Sequence, residues 1–427
     1  MKRLFKILGT IACNSSVIIN FIACSSSDRL TTPATKSLHL SKLDININME
    51  NVELINWRLS NTLMILKEDS SRQAFVFDAN ANNKLTSLNR KIDNFWRLSD
   101  TTGIFKEFTT NQAFLFDANA SNKLINLNKK FDTFKRLSDT TGIFKENLQG
   151  KASFFDNNKL SSFNETVINF WRLSNTRAII GDSKQQALFF DGAANNKITN
   201  LNKSPSNFWS LSDARGIFKE FTTNQAFLFD ANASNKLTSL NRKINHFYRL
   251  SDSTGIFQED SSGQSFVFDM NASNKLISLE SKMNHFYRLS DTMGIFEQAD
   301  TKQGFVFDAN ASNKLISLES KVNHFYRLSD TMGIFEQGDT NKAFFFNANI
   351  NDKLISLNHK VKHFYRLSDT IGIFEQGDTN QVFLFDASVI DKLISLEGKM
   401  NHFYRLSDTT GIFQEFGTNQ AFFFEYK

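Results

Sequence analysis

Five histidines recur every 39 residues, at His246, His285, His324, His363 and His402, and each stands two positions before a tyrosine: Tyr248, Tyr287, Tyr326, Tyr365 and Tyr404. Imidazole and phenol rings in such a row can stack on a sugar or grip an acidic group, so these positions form a candidate binding face. They lie just ahead of a short apolar run and read as part of the connection from one repeat to the next. A shared metal ion is not expected, because copies on neighbouring repeats stand much further apart than ligand bonds of about 2 Å allow.

An arginine precedes Leu-Ser in nine repeats: Arg58, Arg97, Arg136, Arg172, Arg249, Arg288, Arg327, Arg366 and Arg405, with Ser210 in its place in the fifth. Two readings stay open. Each guanidinium can pair with a turn aspartate such as Asp100 or Asp330, within or between repeats. Alternatively Arg97, Arg249, Arg288, Arg327, Arg366 and Arg405 ring a channel mouth, where focused potential attracts anions. Asp117-Ala118-Asn119-Ala120-Ser121 alternates oxygen-bearing side chains as a calcium loop does. It lacks that loop's glycine and bidentate glutamate, so an Asx-capped turn is the better reading. There is no Gly-rich phosphate loop and no Gly-x-Ser-x-Gly elbow. Carboxylates occur in copies, and near-identical copies offer identical environments, whereas an acid–base pair needs two different ones. The expectation is a protein that is no enzyme and has neither cofactor nor metal.

The elements that must position these residues are set by the repeat. The Leu of Arg-Leu-Ser falls at Leu59, Leu98, Leu137, Leu173, Leu211, Leu250, Leu289, Leu328, Leu367 and Leu406. The steps are 39, 39, 36 and 38, then 39 throughout, and residues 103–124 and 216–237 are identical. Within one copy, Phe286–Ser290 reads as a first strand, Ile295–Glu297 as a second, Gly304–Asp308 as a third and Lys314–Leu318 as a fourth. Turn formers such as Asp291-Thr292-Met293-Gly294 separate them. Apolar runs of three to five residues are too short for helices. In the third copy Asp156-Asn157-Asn158-Lys159 shortens only the last turn, as loops tolerate and strands do not.

Four antiparallel strands per 40 residues is the pattern of a β-propeller blade. The Phe-Asp, loop, Lys-Leu-Ile-Ser-Leu hairpin resembles the outer hairpin of WD40-like repeats, although the Trp-Asp and Gly-His signatures of those repeats are absent. The last copy stops after its third strand, Ala421–Phe424, and an orphan apolar-polar segment, residues 37–45, precedes the first copy. The expected fold is therefore all-β: a propeller of about ten four-stranded blades closed by an N-terminal strand. The units start near 57, 96, 135, 171, 209, 248, 287, 326, 365 and 404. The first five open on Trp57, Trp96, Lys135, Trp171 and Trp209 and the last five on tyrosine, so two five-bladed propellers are one alternative. An open β-repeat array is another.

The formal charge is +5, and without Lys2, Arg3 and Lys6 of the leader it is 5 − 3 = +2, too small for a nucleic-acid partner. Both cysteines, Cys13 and Cys24, precede the repeats, so no disulfide framework is expected there. The basic Met1–Lys6 head, the broken apolar stretch from Ile7 to Ile22 and Ala23-Cys24-Ser25-Ser26-Ser27 resemble the signal peptide and lipobox of a bacterial lipoprotein. Phe21 is bulkier than usual at its place. The head and the Asn-, Lys-, Ile- and Phe-rich composition look like lipoproteins of wall-less bacteria of the spiroplasma type, whose adhesion-related repeat proteins are similar in layout. The resemblance implies a signal peptide over 1–23, lipid on Cys24 with a flexible tether over 24–36, and a repeat domain over 37–427. It further implies a chain exported to the outer face of the cell membrane and held there by the lipid alone. The expected function is a surface binding module that recognises a host-cell or neighbouring protein or glycan. The alternatives are a structural envelope scaffold and a glycan-active propeller enzyme.

Overall fold

Each repeat folds as four antiparallel strands. The computed structural model describes residues 17–20, 37–42, 57–68, 71–146, 150–272, 275–350, 354–388, 393–417 and 421–426. The sixth unit shows the plan. The end of Lys236–Arg249 pairs with Thr254–Glu259, which pairs with Gln264–Asp269, which pairs with the start of Lys275–Arg288. No helix among the described residues is long and apolar enough to cross a membrane.

The long strands differ from the sequence reading. Where a loop is expected between the fourth strand of one unit and the first of the next, the backbone runs on as one segment, such as Lys236–Arg249 or Lys314–Arg327. One residue in the left-handed region bends it from sheet to sheet, Asn89, Asn241, Glu280, Glu319 or Asn358, and Asn128 and Asn202 hold the same place at two junctions where the strand is interrupted, all with φ between 52° and 54°. The side chain two residues earlier accepts that residue's N–H, as Ser239 Oγ does from Asn241 at 3.0 Å and Asn126 Oδ1 from Asn128 at 2.8 Å. Asparagine is the residue whose short polar side chain best tolerates this conformation. The third–fourth turns are Asx turns, with Asp117 Oδ1 accepting from Asn119 N and Asp308 Oδ1 from Asn310 N, both at 2.9 Å. The shortened turn of the third unit has Asn157 and Asn158 at φ 45° and 69°, the backbone of a two-residue hairpin.

Units stack face to face. Strand alternation puts Ile256 and Val267 on one face of the sixth unit and Phe257, Phe266 and Phe268 on the other. The Phe face packs against Leu211, Ile217 and Leu228 of the fifth unit, and the Ile face against Phe286, Phe296 and Phe307 of the seventh. The Phe of the first strand lies flat on the glycine of the second. A Cβ on Gly255 would meet Phe247 Cζ at 2.3 Å, and one on Gly294 would meet Phe286 Cζ at 2.2 Å. Where the first strand stands alone, as in Thr133–Arg136 and Pro205–Ser210, it approaches the segments that carry the neighbouring units' first strands. The first strands therefore lie on the side where units converge.

A segment ahead of the first unit meets the last strand. Ser37–Lys42 runs antiparallel to Ala421–Tyr426, with Leu38 opposite Tyr426 and Lys42 opposite Phe422, and it supplies the fourth strand of the tenth unit. Val17–Asn20, in the stretch assigned from sequence to the leader, lies antiparallel along its other edge. The first unit contributes Met64, Leu66 and Phe77 to a cluster with Tyr404, Leu406 and Ile412 of the tenth, and Phe77 and Phe423 rings lie 6.4 Å apart. Cys13, Cys24 and the tether lie outside the described residues.

Candidate functional site

Two rims bear the repeated polar residues, one at each end of the first strands. At the start of each strand sits the histidine. His246, His285, His324, His363 and His402 are exposed, and they stand cross-strand from Gln258, Glu297, Glu336, Glu375 and Gln414. They belong to paired strands and not to a connecting loop, which corrects the sequence reading: the bulge after Ile244 or Val322 keeps the chain in the sheet. Each ring lies beside the tyrosine two residues on, with centroids 6.2 Å apart for His246–Tyr248 and His285–Tyr287 and 6.4 Å for His324–Tyr326. His363–Tyr365 and His402–Tyr404 repeat it at 6.1 Å. The tyrosines are the floor: Tyr248, Tyr287, Tyr326 and Tyr365 are half-buried, each against the Phe of the next unit's first strand, and Tyr404 is buried in the cluster with Met64, Leu66 and Phe77. Burial, and after it the Glu297 carboxylate, pushes the Tyr287 hydroxyl up to about 12. Tyr248, Tyr326 and Tyr365 are raised by burial too, then by Glu297, Glu336 and Glu375.

The charges beneath this rim escape a reading by motif. The residue two places after the buried isoleucine of each second strand faces the neighbouring unit. It is Lys67, Lys106, Lys145 and Lys219 in the first half, Gly181 in the fourth unit, then Gln258, Glu297, Glu336, Glu375 and Gln414. Lys67, Lys106, Glu297, Glu336 and Glu375 are buried. Their partners switch with them. Lys106 Nζ lies 3.2 Å from Asp93, whereas Glu297 accepts from Asn284 Nδ2 at 2.8 Å and Glu375 from Lys362 Nζ at 2.9 Å. His324 Nδ1 lies 3.2 Å from Glu336 Oε2. Strand alternation was the available signal, since this residue shares a side with the buried isoleucine two places before it.

The arginines occupy the opposite rim. Roughly 10 Å of strand, at 3.3 Å per residue, separates each from its histidine, so the two sets do not share one surface. Arg97, Arg136, Arg249, Arg288, Arg327, Arg366 and Arg405 each pair with the aspartate three residues on: Asp100, Asp139, Asp252, Asp291, Asp330, Asp369 and Asp408. These ion pairs close within one turn and not between units. Units are linked by side chain-to-backbone bonds such as that from Arg288 Nε to Leu250 O at 2.6 Å. Arg58 and Arg172 meet amides instead, Asn61 and Asn175. Burial, then the Arg405 and Arg97 guanidiniums on either side, lowers the pKa of Arg58. Among the described residues no group of three His, Cys, Asp or Glu side chains is placed to hold a metal ion.

No family model and no curated protein matches the chain. Solved structures that align with it include the dihydro-heme d1 dehydrogenase NirN, at 10% identity and a TM-score of 0.43 over 86% of this chain and 78% of that one. The C-terminal WD40 domain of Sif2 aligns at 10% identity and a TM-score of 0.40, over 78% of this chain and 96% of that one. The Dos1 propeller aligns at 12% identity and 0.38, over 76% and 89%. At these values the likeness assigns no activity to this chain. The all-β description rests on the strand pairings above.

Proposed function

We propose that this chain is a β-propeller recognition module of ten blades closed into one ring, which binds a host-cell or neighbouring surface protein or glycan along its histidine rim. The observation that carries the reading is the row of five exposed histidines, each backed by a half-buried or buried tyrosine and held at the same register on a paired strand. A row of like side chains on a fixed scaffold gives many weak contacts at one spacing, which suits a repetitive or extended partner. Binding in place of catalysis follows from the likeness of the copies.

Closure into one ring is supported by the pairing of Ser37–Lys42 with Ala421–Tyr426 and by the cluster between the first and tenth units. Two five-bladed rings would require a break after the fifth unit, yet the fifth and sixth share a core like every other adjacent pair. Export and lipid attachment at Cys24 rest on the leader sequence. On this reading the mature chain begins at Cys24, and Ser37–Lys42 then forms the outer edge of the closing blade.

The test is binding of the purified chain to glycan and surface-protein arrays and to cells. Replacing His246, His285, His324, His363 and His402 together by alanine leaves the fold intact and lowers binding at least tenfold. A folded chain that binds nothing, or an alanine variant that binds as well as the parent, contradicts the reading.

A further inference from the structure

We propose that the break in the arginine row at the fifth unit is a binding site for a small zwitterion, a free α-amino acid or a dipeptide. Ser210 stands there where nine other units have arginine. Its Oγ donates to Leu173 O of the preceding unit at 3.3 Å, the counterpart of the bond that Arg288 Nε makes to Leu250 O at 2.6 Å. The serine keeps a contact between units and removes the guanidinium. What remains is a cavity of about 520 Å³ lined by Arg172, Ser210, Ser212, Asp213, Arg249 and Asp252, among others. That volume falls in the range of small-ligand sites.

The charges around it are unevenly satisfied. Arg249 is neutralised by Asp252. Among the described residues the Arg172 guanidinium donates only to the neutral Asn175 Oδ1, at 2.7 Å. Asp213 occupies the place where Asp100, Asp252 and Asp291 meet their arginines, and with Ser210 three residues before it, it has no hydrogen-bond or ion-pair partner among the described residues. One cation without a carboxylate and one carboxylate without a cation thus open on the same cavity and do not pair with each other. A ligand with a carboxylate at one end and an ammonium at the other satisfies both. The guanidinium fork takes the carboxylate in two parallel bonds, and Asp213 takes the ammonium. Ser210 and Ser212 offer hydroxyls between them. Among the described residues no aromatic ring lines the cavity, which disfavours a sugar, and the balanced charge disfavours a polyanion.

Calorimetric titration of the full chain with glycylglycine tests this, with acetate and methylammonium as probes of each charge alone. Saturable binding of glycylglycine is expected, with either single-charge probe at least tenfold weaker. Ser210→Arg, which restores the residue of nine other units, fills the cavity and lowers glycylglycine affinity at least tenfold while its melting temperature stays at or above that of the parent. Asp213→Asn and Arg172→Gln weaken binding without filling the space, and they carry the test should the arginine variant not fold. No saturable binding to the parent, undiminished binding to Ser210→Arg, or acetate binding as tightly as glycylglycine overturns the proposal.

Discussion

Tyr287 joins packing to pH. Burial and then Glu297 keep its hydroxyl protonated up to about pH 12 in the fold, against 10 in the open chain. A raised folded-state value means the stabilisation is full below pH 10 and is lost as pH rises from 10 through about 12. Tyr248, Tyr326 and Tyr365 shift the same way. The expected outcome is a steep fall in melting temperature above pH 10, shallower in Tyr287→Phe, as read by circular dichroism melts at pH 8, 10 and 11. An equal fall in both proteins would contradict the role given to this hydroxyl. Glu220 and Glu259 work at the other end of the scale. A hydrogen bond from Thr223, then from Lys203, lowers Glu220, while one from Ser262 comes first for Glu259. Their contribution is present above the ordinary carboxylate range and fades as pH falls below it.

At the scale of the element, the bend in the long strands is where sequence and structure part. The four short apolar runs of each unit, and the turn between third and fourth strands, could be placed from alternation and turn formers alone. The junction could not, because Ser-Leu-Glu-Ser-Lys before Val322 has the polar look of a loop. One left-handed residue with its N–H bonded to a serine converts that stretch into a bent strand, and composition carries no mark of it. The histidines shifted from loop to strand for the same reason. Ser210 had been visible as the one departure from arginine, but its cavity depends on two neighbouring turns that a single repeat does not reveal. The bend also predicts a gain in stability. Glu319 holds φ 53° without the advantage asparagine has at Asn241 and Asn358. Glu319→Asn should stabilise the chain by about 1 kcal/mol, seen as a higher urea midpoint at unchanged slope. An unchanged or lower midpoint would mean that the bend carries no strain.

For the whole molecule, the units behave as a series in which each covers the Phe face of the next, so stability is a sum of unit and interface terms. An open series leaves one Ile face and one Phe face bare at its ends. Leu406 and Ile412 of the tenth unit cover Met64, Leu66 and Phe77 of the first, as Leu211 and Ile217 cover Phe257 and Phe268 in the middle of the chain. Ser37–Lys42 pairs the free edge of Ala421–Tyr426, and an edge left bare there would invite aggregation. Arg58 feels both Arg405 and Arg97, so the last arginine of the row stands near the first.

Closure is tested most directly by the distance between the first and last units. Spin labels on cysteines replacing the exposed Asn61 and Asp408, with Cys13 and Cys24 changed to serine, can be measured by pulsed double-resonance spectroscopy against a second pair at Asn61 and Asp100. A single closed ring makes the first and tenth units neighbours, so both pairs should give the same short distance. A pair at 61 and 408 several times further apart than the pair at 61 and 100 would contradict it.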